Sequence, residues 1–161
     1  MTTKPEQLYN EDFFAWTVVQ ARELRRFAQW RPNVALDLRH IAEEIADLGH
    51  ERRAALRSWT RRIIEHLLLL QYSPAKEPRD GWIDEVETFR DDIEERLTPS
   101  LRRDLQRQLP RLYGRVRERA GGKLERYGET GAAARLPEHC PYVLDEILGD
   151  YWPPPQDDVR A

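Results

Sequence analysis

This 161-residue chain has one cysteine, Cys140, so it can build neither a disulfide framework nor a cysteine-rich zinc site. It has no apolar run of the roughly 18 residues a membrane helix needs; Leu67–Leu70 is the longest near-apolar stretch, so no spanning helix is expected. Strand signals are equally scarce. No alternating apolar/polar run extends over four residues, and Asp80-Gly81 precedes a helical pattern rather than closing a hairpin. The opening stretch MTTKPEQLYNEDFF lacks an apolar segment before a small-residue cleavage site, so no secretory signal is expected. There is no surplus of positive charge either. The net charge is -3, which gives a polyanion no whole-molecule attraction. A cytoplasmic protein with neither a membrane nor a nucleic-acid partner is the expectation.

Apolar residues make up 40% of the chain, enough for a core. Of 26 basic residues only Lys4, Lys76 and Lys123 are lysine. Such an arginine excess follows from genome base composition or serves phosphate contact, since the guanidinium offers a planar fork of donors. The most basic stretch, 102–119, carries seven arginines against Asp104 and Glu118; it reads as a local patch or, more simply, a solvated helix face.

Proline and glycine punctuate a helical chain. A first helix is expected from Asn10 to Gln29, capped by Asn10, with Phe13, Trp16, Gln20, Leu24 and Phe27 on one face. Pro32 stops it. A second, from a cap at Asp37 to Gln71, carries the stripe Leu38, Ile41, Ile45, Leu48, Arg52, Leu56, Trp59, Ile63, His66, Leu70, close to a coiled-coil seam. Gly49 predicts a kink or a close helix crossing there. A third helix runs from Asp80 to about Leu97, with Trp82, Val86, Phe89, Ile93 and Leu97 inward and Arg90 beside them. Thr98-Pro99 then reads as a cap and first helical position. The fourth carries Leu101, Leu105, Leu112, Val116 and Leu124, with Pro110 expected to kink or split it. Residues 128–134 read as a loop, and 141–148 as a short last helix. The fold class is all-α: a helical bundle of four long helices plus one or two short ones, with essentially no β-sheet. One domain over 1–152 and a disordered tail over 153–161 are expected.

Three chemistries can be weighed. His40, Glu43, Glu44 and Asp47 share a helical flank, but only Glu44 borders the seam. No second carboxylate–histidine motif faces them, so an exposed charged face is the simpler reading, and no metal or other cofactor is expected. Cys140 precedes a helix start, where a thiol can be activated, but it also suits a buried small residue. Arg61 and His66 have an Arg-x4-His spacing that resembles the motif of HEPN-type helical ribonucleases. There Arg would hold phosphate and His would move a proton. However, Arg62 stands where that family favours an uncharged polar residue, and Arg61 lies about 140° round the helix from His66.

The polar members of the seam remain. A charged Arg52 in an apolar interface predicts a carboxylate partner from another helix, Glu44 being too far along its own. His66 reads as a satisfied core histidine, or as the edge of a pocket near Trp82 or Arg90. Glu44, Arg52, His66, Trp82 and Arg90 are therefore the candidate polar seam or pocket.

Leu36-Asp37-Leu38, Ile41-Ala42-Glu43-Glu44-Ile45, Asp47-Leu48-Gly49, His66-Leu67-Leu68 and Gln71-Tyr72-Ser73-Pro74 resemble, in order and spacing, the domain of unknown function family numbered 29, found in cyanobacteria and proteobacteria. Tyr9, Asp12-Phe13, Ala15-Trp16 and Gln20 fit its start. Trp82, Arg90, Pro99-Ser100-Leu101 and Cys140-Pro141-Tyr142 fit its later part, so the resemblance spans about Tyr9 to Trp152. The chain departs at Glu51-Arg52, where the family has Ser-Glu, at Leu69-Leu70, where it often has Lys-Trp, and at His40, where Asn is common. The resemblance implies a helical fold and supplies no activity, cofactor or partner. The function expected is unknown, and most simply a non-enzymatic helical interaction or self-associating module, with a homodimer as the expected partner arrangement. The alternatives are an RNA-cleaving or phosphate-handling enzyme using His66 with a nearby Arg, and a small-ligand binder near Trp82.

Overall fold

Local hydrogen bonding at three short sequence signals sets where three of the helices begin. In the computed structural model, which describes residues 4–156, Asp12 breaks the chain at φ -149° and ψ 81°. It separates α1 (Pro5–Glu11) from α2 (Phe13–Gln29). Its Oδ1 accepts from the Ala15 amide at 3.0 Å, so Asp12 is the α2 cap. Asn10 instead lies in α1, where its side chain donates to the Glu6 carbonyl. The expected start at Asn10 is thus corrected to Phe13. Tyr9 of α1 packs edge-on against Phe13 (5.5 Å between centroids) and Trp16 (4.9 Å) of α2.

Asp37 does cap α3 (Leu38–Tyr72), through the His40 amide at 3.2 Å. α4 spans Arg79–Arg96 and α5 spans Pro99–Arg126. Thr98 Oγ1 accepts from the Leu101 amide, and Pro99 sits at the first helical position as expected. Pro110 does not split α5, which runs through it. The buried stripe Leu105, Leu109, Leu112, Val116, Ala120 and Leu124 holds both sides of the proline in one helix. Gln106, whose carbonyl loses its partner, is exposed to water. Two short helices follow, α6 (Thr130–Ala134) within the expected loop and α7 (Leu144–Leu148). Among the described residues there is no strand, and no helix is long and apolar enough to cross a membrane. The fold is all-α, with four long helices of bundle type and three short ones.

The residues form two compact units. The first holds the described residues up to Leu56 together with Leu97–Asp104. Its innermost residues on α2 are small, Thr17 and Ala21, rather than the expected Phe13, Trp16 and Leu24, which are half-buried, or Phe27, which is exposed. Gly49 explains this. A Cβ at position 49 would overlap Thr17 Oγ1 and stand 3.4 Å from the Phe14 ring, so α2 and α3 cross closely there, one of the two readings the glycine allowed. Leu48, assigned to the buried stripe, points to solvent beside this crossing.

The second unit holds Arg57–Arg96 and the described residues from Leu105 onward. Every residue from Ile63 to Leu70 is buried, so α3 is covered all round there. Trp82, Val86 and Ile93 of α4 and Leu144 and Ile147 of α7 join it in the core. Pro153 is buried and the Gln156 amide donates to the Gln71 carbonyl at 2.8 Å. The remainder of the expected tail, 157–161, lies outside the described residues.

Candidate functional site

Two polar residues, Glu65 and His66, interrupt the all-round apolar run of α3, and both are buried, at 2% and 1% exposure. A buried carboxylate needs counter-charge, and Glu65 has three. Its Oε2 lies 3.2 Å from Arg62 Nη1 and 3.4 Å from Arg119 Nε, and its Oε1 lies 3.5 Å from Lys123 Nζ. Arg62 also reaches Glu85 of α4 at 3.2 Å, and Glu85 faces His66 Nε2 at 2.7 Å. Arg62 thus bridges a chain that runs from Lys123 to His66.

His66 is neutral in this arrangement. Burial pushes its pKa below the ordinary value, against the pull of the Glu85 carboxylate. Glu85 is held below its own ordinary value, chiefly by the His66 hydrogen bond. The two shifts agree if Nε2–H donates to an ionised Glu85. Nδ1 then keeps its lone pair and meets no hydrogen-bond partner among the described residues. Charging the ring would place a second N–H there with no acceptor, which adds to the cost of protonation.

The candidate residues of the polar seam do not converge. Glu44 is exposed on the first unit's stretch of α3. Arg52, half-buried in that unit, has no carboxylate partner among the described residues. Its guanidinium lies over the Phe13 ring at 4.3 Å, an aromatic face replacing the expected ion pair. Trp82 is a core residue of the second unit. Arg90, also in that unit, spends its donors on backbone carbonyls: Ile147 at 3.0 Å, Glu146 at 3.1 Å and Tyr151 at 2.8 Å, with Trp152 under its guanidinium. It clasps the chain around α7. The residues of this network that the candidate set lacks are Glu65, Glu85 and Arg62. The apolar run around Glu65 was the available signal, since a carboxylate inside it must be buried.

The other chemistries can be placed as well. Among the described residues no group of three histidine, cysteine or carboxylate side chains could hold a metal ion. His40, exposed, pairs with Asp37, which raises its pKa. Burial pushes the Cys140 thiol up, and its Sγ donates to the Tyr142 carbonyl. α7 begins at Leu144, not at Pro141, so no helix N-terminus lies beside the thiol to activate it.

These features define an all-α protein whose polar groups are mostly engaged with one another. The chain belongs to a family described as domain of unknown function DUF29, whose model matches residues 8–153. It is similar to an α-helical protein of unknown function from Rhodospirillum rubrum, at 27% identity and a TM-score of 0.77, over 87% of this chain and 88% of that one. No curated protein matches. Neither the family nor the neighbour carries an assigned activity, so the function is unknown.

Proposed function

We propose that this protein is a non-enzymatic helical association module that pairs with a second copy of itself through the first unit. The carrying observation is where the large apolar side chains lie exposed. Phe27, Trp30, Val34 and Leu36 fall within one ten-residue stretch that runs from the last turn of α2 into the segment after it, with Trp30 71% and Leu36 61% exposed. Val18 of α2 and Leu48 of α3 add to the apolar surface of the same unit. Trp30 stands edge-on to Phe27 at 6.3 Å, so the two present one ridge. Apolar clusters of this kind mark association surfaces, and an isologous pair is the commonest way to cover one. A cytoplasmic setting goes with this reading, since one unpaired cysteine suits a reducing compartment.

The RNA-cleaving alternative needs a cleft that reaches His66. The ring is sealed within the second unit and already donates to Glu85, which leaves that reading without support from the geometry. Sedimentation velocity at micromolar concentration tests the proposal. Wild type should sediment as a dimer, and Trp30→Asp with Leu36→Asp as a monomer of unchanged helical content. A monomeric wild type overturns it.

A further inference from the structure

We propose that the arginine-walled groove between α3 and α5 in the second unit is a binding site for a small ligand bearing a di- or triphosphate. Two adjacent hollows, of about 280 and 160 Å³, open along these helices, and Arg61 and Arg115 line both. Arg62 and Arg119 complete the walls of the larger, Arg57 and Arg111 those of the smaller.

The charges in the groove are unequally matched. Glu65 is the one carboxylate in the lining, and Arg62, Arg119 and Lys123 already surround it. Arg61, Arg111 and Arg115 have no carboxylate within ion-pair reach among the described residues. That leaves three guanidinium groups to meet three or four negative charges, which a di- or triphosphate supplies. Guanidinium forks match phosphate oxygens two at a time. Glu65 meanwhile pins Arg62 and Arg119, so part of the cradle is held before a ligand arrives.

A purely structural role does not account for this arrangement. On α5, Arg111, Arg115 and Arg119 repeat at four-residue steps, as do Arg57 and Arg61 on α3. Each like-charged pair costs a few tenths of a kcal/mol. The two rows converge on the same hollows instead of spreading over solvated faces. Single-stranded nucleic acid fits less well, because no aromatic side chain lines either hollow to stack a base.

Calorimetric titration of the full chain with inorganic triphosphate, pyrophosphate and orthophosphate, at about 50 mM NaCl, tests the site. Triphosphate should bind most tightly and orthophosphate least. Arg61→Glu with Arg115→Glu should weaken triphosphate binding by at least about tenfold. Arg126→Glu with Arg135→Glu, an equal charge change outside the groove, should leave it within about twofold. The neutral pair Arg61→Gln with Arg115→Gln repeats the loss if circular dichroism shows the glutamate pair misfolded. The proposal fails if triphosphate gives no saturable binding, if the outer pair weakens binding as much as the groove pair, or if a short oligouridylate binds and triphosphate does not.

Discussion

The two units solve the same problem, joining helices, with opposite materials. In the first, the buried apolar side chains are few, Ala21, Leu38, Ala42, Leu56 and Leu101, while large ones such as Trp30 and Leu36 stay outside. What joins its helices is a small set of directional contacts. Asp12 caps α2 and also accepts from the Ser100 amide at 2.7 Å, serving the α5 start. Arg52 and Arg53 lie over the Phe13 and Phe14 rings. The second unit has a continuous core of leucine, isoleucine and aromatic residues, and carries charge inside it in a shared network. Sparse packing leaves apolar surface exposed, whereas dense packing surrounds the interior carboxylate of Glu65 with counter-charge.

Substitutions at the anchors of each unit can break this contrast. Glu65→Ala should have the largest effect, about 2–3 kcal/mol in urea unfolding, because it empties a buried site and takes away the carboxylate that Arg62 and Lys123 share, although Arg62 keeps Glu85. A loss below about 1 kcal/mol would mean the network is ornamental to the second unit. Asp12→Ala should cost about 2 kcal/mol, since it removes acceptors from two helix starts. Hydrogen exchange should show the loss of protection at Ala15 and Ser100 and not at Ile63–Leu70. Burial raises the Asp12 pKa, but the Ala15 and Ser100 amides outweigh it and the net shift is downward. Its contribution is therefore present above the unfolded value of 3.8 and lost as pH falls through the lower folded value.

His66 gives the smallest and most specific effect. Its folded pKa lies below the unfolded 6.5, so the unfolded chain binds the extra proton first. Stability should fall as pH drops through about 6.5, and the difference between wild type and His66→Gln should shrink over that interval. A difference independent of pH from 5 to 8 would remove the neutral, buried ring from the account.

Legibility in the sequence followed the range of the interaction. The caps at Asp37 and Thr98, and the close approach at Gly49, depend on neighbours within a turn or on one missing side chain, and were readable. Asp12 was not, because half of its role is an amide 88 residues away. Arg52 meets a ring face in place of the expected carboxylate, since spacing cannot distinguish the two across an interface. Leu48 followed the heptad step and still faces water, because the Gly49 crossing brings small residues together and leaves it to one side. The groove was half visible as the basic 102–119 stretch; what the sequence could not place opposite it were Arg57, Arg61 and Arg62.

Arg90 puts a clock on biosynthesis. It leaves the ribosome 61 residues ahead of Tyr151, whose carbonyl it finally holds. Until that stretch emerges, α4 carries a guanidinium whose resting place does not yet exist, so the second unit can close only after Tyr151 has been made. A chain that lacked Tyr151 would keep two of the three carbonyls that hold Arg90, those of Glu146 and Ile147, and lose the one that closes the clasp.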